Sequence, residues 1–209
     1  MTTKPIYLDY AATTPVDPRV AAAMRECLEP DGIFENPSSS HFGGRQARGR
    51  VERAREQIAQ RIGADSGTIA FTSGATESNN LAIQGVMRSD TARGRHMITP
   101  ITEHKAVLDT VAALQKQGFD VTYLGCDSDG IVAPEQIAEA IRDDTALVSV
   151  MHVNNETGVV QDVAAIAAIC RGHDVALHVD AAQSVGKIAV EVGVWDADLV
   201  ALTAHKIYG

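Results

Sequence analysis

The sequence predicts an α/β protein built on a mostly parallel sheet flanked by helices. From Thr68 onward, short β-branched runs alternate with stretches of helical spacing, and parallel strands need such crossovers to return to the same edge. The run 146–153 is apolar on both faces, as a central strand covered on each side must be. Polar residues gather directly after the expected strands, which is where open α/β sheets bind ligands.

The elements follow in order. After a short extended segment at Ile6, Tyr7 and Leu8, Asp17-Pro18 supplies an N-cap and a proline for the first turn of a helix reaching about Leu28. Pro30, Asp31 and Gly32 end it. A Ser-, Gly- and Asn-rich loop over 36–44 precedes a second helix in which Val51, Ala54, Ile58 and Ile62 keep helical spacing until Gly63. The alternation then gives strand 69–71, helix 77–87, strand 97–99, helix 105–117 and strand 121–124. Helix 134–141, strand 146–153, helix 163–171, strand 175–179 and strand 199–203 complete it. No repeat, low-complexity tract or proline-rich linker marks a boundary within 16–209.

With 209 residues, 45% of them hydrophobic, the chain can bury a sizeable core. A formal charge of -9 without a dense Lys/Arg cluster argues against nucleic acid or a membrane surface as partner, and favours a small polar metabolite. No apolar run has signal-peptide or membrane-span length, so a cytoplasmic location is expected. Cys27, Cys126 and Cys170 are widely spaced and form no CxxC pair, which suggests neither a disulfide framework nor a metal site. Cys27 and Cys170 fall within expected helices.

Five expected strand ends carry the polar segments T-S-G-A-T-E-S (72–78), T-E-H-K (102–105), N-N-E-T-G (154–158), D-A-A-Q-S (180–184) and T-A-H-K (203–206). The first sets a glycine and hydroxyls before a helix, a backbone arrangement that favours a phosphate, although such a segment also serves simply as a cap. Neither GxGxxG nor GxxxxGK[ST] occurs, so dinucleotide and P-loop readings lose ground. Asp180, after an apolar strand, needs a cation or hydrogen bonds if buried. Lys206, at the ligand edge, is a candidate Schiff-base amine. His104, His205, Asn155 and Gln183 each have an ordinary structural reading, as packed histidines or loop-bonding amides. Together, a phosphate cradle, an aspartate, a lysine, two amides and a flat imidazole match the needs of pyridoxal phosphate.

At these residues the sequence resembles the cysteine desulfurases of the IscS/NifS type, in the class V branch of fold-type I pyridoxal-phosphate enzymes. The resemblance runs through I-Y-L-D-Y-A-A-T-T-P-V-D-P-R-V (6–20), N-P-S-S-S-H (36–41), T-S-G-A-T-E-S-N-N-L-A-I (72–83) and T-E-H-K-A-V-L (102–108). It continues in V-S-V-M-H-V-N-N-E-T-G-V-V-Q (148–161), H-V-D-A-A-Q-S-V-G-K (178–187) and H-K-I-Y-G (205–209). It implies that Lys206 carries pyridoxal phosphate and moves the substrate α-proton, that Asp180 pairs with the ring nitrogen, and that His104 stacks on the ring and shuttles a proton. Asn155 and Gln183 would lie near the phenolic oxygen, and Ala75, Thr76, Thr203, Ala204 and His205 would complete the cofactor site. Thr203 stands where the family often has serine.

The implied reaction takes sulfur from L-cysteine to give L-alanine and an enzyme persulfide for iron-sulfur scaffolds or other acceptors. The family's persulfide-forming cysteine has no counterpart here, and no catalytic cysteine is assigned. The resemblance further implies a large pyridoxal-phosphate-binding domain over 16–209, incomplete at its C-terminus, with 1–15 belonging to a small domain. A homodimer is expected at full length, and the 209-residue chain alone is expected to be inactive and poorly stable. Alternatives are a selenocysteine lyase, another class V aminotransferase, or a non-catalytic fragment that binds partners.

Overall fold

The computed structural model describes residues 5–209 and divides into two compact units, Met1–Ala70 with Ala204–Gly209, and Phe71–Thr203. In the first unit, Asp17 caps helix α1 (Pro18–Arg25) by accepting from the Arg19 amide at 2.8 Å, with Pro18 in the first turn. The helix ends earlier than its spacing suggests. The amides of Cys27 and Leu28 donate to Met24 and Arg25, tightening the chain into three-residue turns, so Cys27 lies just beyond the helix rather than within it.

Helix α2 (Phe42–Ile62) begins earlier than expected. Gly43 and Gly44 read as loop, but His41 caps the first turn, its Nδ1 accepting from the Gly44 amide at 3.2 Å. A Cβ at Gly44 would come within 2.4 Å of the Ser39 carbonyl oxygen, so the glycine there serves close packing rather than flexibility. Gly63 ends α2 in the left-handed region at φ 66°. A short 3-10 turn, Ser66–Thr68, follows.

The second unit begins with α3 (Ala75–Met87) and then alternates strictly: β1 (His96–Pro100), α4 (Lys105–Gln115), β2 (Asp120–Leu124), α5 (Pro134–Ala140), β3 (Thr145–Met151) and α6 (Val163–Gly172). β4 (Ala176–Asp180), a one-turn helix α7 (Val192–Trp195) and β5 (Leu199–Ala201) close the series. All strand pairs are parallel, in the order β2-β1-β3-β4-β5. The expected α/β class and parallel sheet are therefore observed. β1 and β3 are buried along their whole length, whereas the edge strand β2 is mostly open.

The expected strand at 69–71 does not join the sheet. Ile69 is extended, but its amide donates to Ser66 and its carbonyl accepts from the Arg55 side chain, while Phe71 is 51% exposed. A β-branched run makes a strand only where a ladder partner exists. The polar segment 72–78 thus opens α3 without a preceding strand.

Strand order locates the site. The chain leaves β1 through α4 to β2 on one side, and leaves β3 through α6 to β4 on the other, so the direction of winding reverses between neighbouring β1 and β3. With the right-handed crossovers that such folds use, a reversal of this kind sets the flanking helices on opposite faces, and open α/β sheets bind ligands beyond the strand ends there. On one face α3 and α4 bury Ile83, Met87, Val107, Val111 and Leu114 against Met97 and Leu147. Truncating Leu147→Ala, at a fully buried position in the central strand, should lower the unfolding free energy by about 3 kcal/mol, read from the urea midpoint at unchanged slope.

Candidate functional site

Two loops meet at the reversal point, and hydrogen bonds tie them to each other. Glu103, on the turn after β1, accepts from the Met151 amide at the end of β3 at 2.5 Å, and Asn154 donates to the Thr102 carbonyl at 2.9 Å. Asn154 also accepts from the amides of Glu156 and Thr157, closing a tight turn whose sides pair at Val153 and Val160. The expected strand 146–153 therefore ends at Met151, and the chain turns back sooner.

His104 caps α4, its Nδ1 accepting from the Ala106 amide at 3.0 Å. That bond commits Nδ1 as an acceptor, so the neutral ring carries its proton on Nε2, on an exposed side chain. Asn155, half-buried on the β3 loop, donates to Glu156 at 2.8 Å. Gln183 is buried and accepts from Lys187 Nζ at 3.1 Å, and Thr203 is buried beyond β5.

Asp180 closes β4 at 4% exposure. Its Oδ1 accepts from the Ala182 amide at 2.9 Å and its Oδ2 from the Asn79 amide nitrogen at 2.7 Å. Among the described residues it makes no salt bridge. Asn79 lay inside a quoted motif but was given no role, yet its bond from the first turns of α3 draws segment 72–78 to this strand end although no strand precedes it. Gly74, at φ 149°, stands at the N-cap of α3 with no side-chain cap, and Ala75 and Thr76 open the helix. Ser73 and Glu77 bond each other, the amide and hydroxyl of Ser73 donating to Glu77 Oε2 at 2.6 Å each, which lowers the Glu77 carboxyl below its usual range.

Burial favours the neutral form of two groups near Asp180. Burial, reinforced by the negative charge of Asp180, holds the Glu103 carboxyl well above the usual range. Burial also pushes His178 down to about 4, with its Nδ1 bonded to Ser149 Oγ at 2.9 Å. Further along, His152 packs edge-on against Trp195 of α7 at 4.6 Å.

In the first unit the lysine turn is tied to the N-terminal segment. Thr14, 8% exposed, donates from both amide and hydroxyl to the His205 carbonyl at 2.8 and 3.0 Å, and its hydroxyl accepts from the Tyr208 amide at 2.8 Å. His205 Nδ1 bonds Thr13 Oγ1 at 3.1 Å, and the Ile207 and Gly209 amides donate to Ala204. Lys206 is half-buried within this clamp. Thr14 lay inside a quoted motif but gave no separate signal, because its partners are about 190 positions away in sequence.

The cysteines do not gather. Cys27 and Cys126 are half-buried, and burial raises the thiol of Cys170 in α6 to about 12. No group of three metal-ligating side chains occurs among the described residues, and none of their helices is long and apolar enough to cross a membrane.

The aminotransferase class-V family model matches residues 6–209. The chain belongs to that family. It is 58% identical over 206 residues to a cysteine desulfurase IscS of Aeromonas hydrophila, an alignment covering 98% of this chain and 51% of the relative. The chain thus spans about half the length of the relatives it matches. Among solved structures, SspA in complex with cysteine superposes with a TM-score of 0.93 at 43% identity, covering 97% of this chain and 58% of the other. A NifS-like protein gives the same TM-score at 38% identity, with coverage of 98% and 56%. The expected family and fold are both found.

Two outcomes follow from these contacts. Thr14→Val keeps the shape and removes the hydroxyl bridge, leaving the Tyr208 amide unpaired, and should cost about 1–3 kcal/mol in urea unfolding. For His178 the folded ring titrates near 4 and the unfolded ring near 6.5, so the unfolded state binds more protons between those values. The contribution is complete above pH 6.5 and is lost as pH falls through 4. Stability measured relative to His178→Asn should therefore drop by about 3 kcal/mol from pH 6.5 to pH 4.

Proposed function

We propose that this chain carries the cofactor-binding and substrate-activating part of a pyridoxal-phosphate-dependent cysteine desulfurase. The observation that carries the reading is Asp180, a buried strand-end carboxylate with two neutral donors and no salt bridge among the described residues. A buried charge of this kind calls for a cation, and the protonated nitrogen of a pyridine ring supplies one. The names of the relatives, cysteine desulfurase IscS, support the activity.

When bound, pyridoxal phosphate supplies an electron sink for negative charge developing at the substrate α-carbon. Lys206 would hold it covalently and move the α-proton of L-cysteine. Asp180 would keep the ring nitrogen protonated. The first amides of α3 at Ala75 and Thr76, with Thr203, Ala204 and His205, would take the phosphate, since an uncapped helix N-terminus favours an anion. Asn155 and Gln183 would bond the phenolic oxygen. His104 would lie flat on the ring and pass a proton through Nε2–H, its other nitrogen being committed to α4.

Sulfur leaving L-cysteine needs an acceptor thiolate, with L-alanine as the other product. Cys170 is unsuited, because burial keeps its thiol protonated at neutral pH. No cysteine of this chain is assigned that role, and an iron-sulfur scaffold or similar acceptor is the proposed destination. A homodimer in the cytoplasm, with residues 1–15 serving a small domain and 16–209 the large one, completes the reading.

Adding pyridoxal phosphate, reducing with borohydride and mapping peptides by mass should place the label on Lys206 and lose it in Lys206→Ala. Label on any other lysine, Lys4, Lys105, Lys116 or Lys187, would overturn the assignment.

A further inference from the structure

Asp180 is gripped by a residue with an unusual position. Asn79 lies inside α3 with no exposed surface, where an asparagine lowers helix propensity and its amide must be desolvated. Its nitrogen donates to Asp180 Oδ2 at 2.7 Å, while its Oδ1 is buried without a hydrogen-bond partner. Half of the side chain's bonding capacity is thus left unused in the interior. An apolar residue of similar volume would avoid that cost, and such local conflicts are expected at functional positions.

We infer that Asn79 is a positioning residue that fixes the Asp180 carboxylate for a cationic ring nitrogen while leaving its negative charge uncompensated. This rests on the reading of Asp180 as the partner of a pyridinium. The chemistry of the amide is the point. A lysine or arginine at this place would neutralise Asp180 and compete with a cationic ligand, whereas an amide supplies a directional bond and no charge. With Ala182 N–H on Oδ1 and Asn79 on Oδ2, both oxygens are oriented, and a carboxylate has about four lone-pair sites, so acceptor capacity remains.

The neighbouring groups agree with that role. Glu103 and His178, both buried beside Asp180, bond to the Met151 amide and to Ser149 rather than to the carboxylate, so neither supplies the missing cation. The same helix that presents Ala75 and Thr76 at its start carries Asn79 about one turn later. A single rigid element, with a pitch of about 5.4 Å, therefore sets the distance between the proposed phosphate amides and the group that aims Asp180.

The test uses a ligand that lacks the ring nitrogen. Binding of pyridoxal phosphate and of 1-deazapyridoxal phosphate, in which a C–H replaces that nitrogen, is measured by equilibrium dialysis for the wild-type chain, Asn79→Leu and Asn79→Ser. The serine hydroxyl is too short to reach Asp180, and its smaller volume guards against a leucine variant that fails to fold. Either variant should bind pyridoxal phosphate about tenfold more weakly and change affinity for the deaza compound less than twofold. Equal weakening for both ligands would show a purely structural role and overturn the inference, as would no change for either. Wild-type protein that binds the two ligands equally, with Asp180→Asn behaving alike, would overturn the pyridinium reading itself and Asn79's role with it.

Discussion

An ionised carboxylate at the end of a buried parallel strand is the constraint around which the second unit is arranged. Water cannot solvate Asp180, so its two oxygens must be satisfied by the chain, and they are met by one backbone amide and one side-chain amide. Among the described residues no salt bridge competes for the charge, and burial favours the neutral form of both Glu103 and His178, raising the one and lowering the other. The hydrogen-bond donors to Asp180 among the described residues are both uncharged. That is the electrostatic opposite of a structural ion pair, in which the partner is built in.

The location of the candidate site comes from topology rather than from any one side chain. Winding reverses between β1 and β3, and such reversal points are where open α/β sheets bind ligands. Glu103 to Met151 and Asn154 to Thr102 then tie the two loops at that point together although both are irregular. His104 gains its orientation from the same turn, through its cap on α4. The proposed site residues therefore sit at strand ends, helix starts and the loops between them, which the sheet holds in place.

Much of this was legible from period and punctuation. Runs such as 146–153 announced buried strands, and Asp17-Pro18 announced a helix start, because both signals are local. The segment 69–71 misled, since β-branching reports what a strand tolerates and not whether a neighbour is present. Gly43 and Gly44 misled in the other direction: glycine read as loop, where close approach to Ser39 inside a capped helix required it. The proposed cofactor residues were readable because each follows a strand or opens a helix. Asn79 and Thr14 were not, as their meaning lies in bonds to Asp180 and His205, about 100 and 190 positions away.

Thr14's bonds to the lysine turn also order events in time. The first unit is assembled from two pieces of chain separated by the whole of Phe71–Thr203. On a ribosome, its N-terminal piece must wait, with one half of its clamp missing, until the last residues of this sequence emerge. Closing so long a loop is entropically costly unless the intervening chain has already condensed. The turn that carries Lys206 is accordingly closed late, after the sheet has had the opportunity to form. The turn is thus completed by its most distant contacts, those of Thr14 with the backbone of His205 and Tyr208 on either side of Lys206.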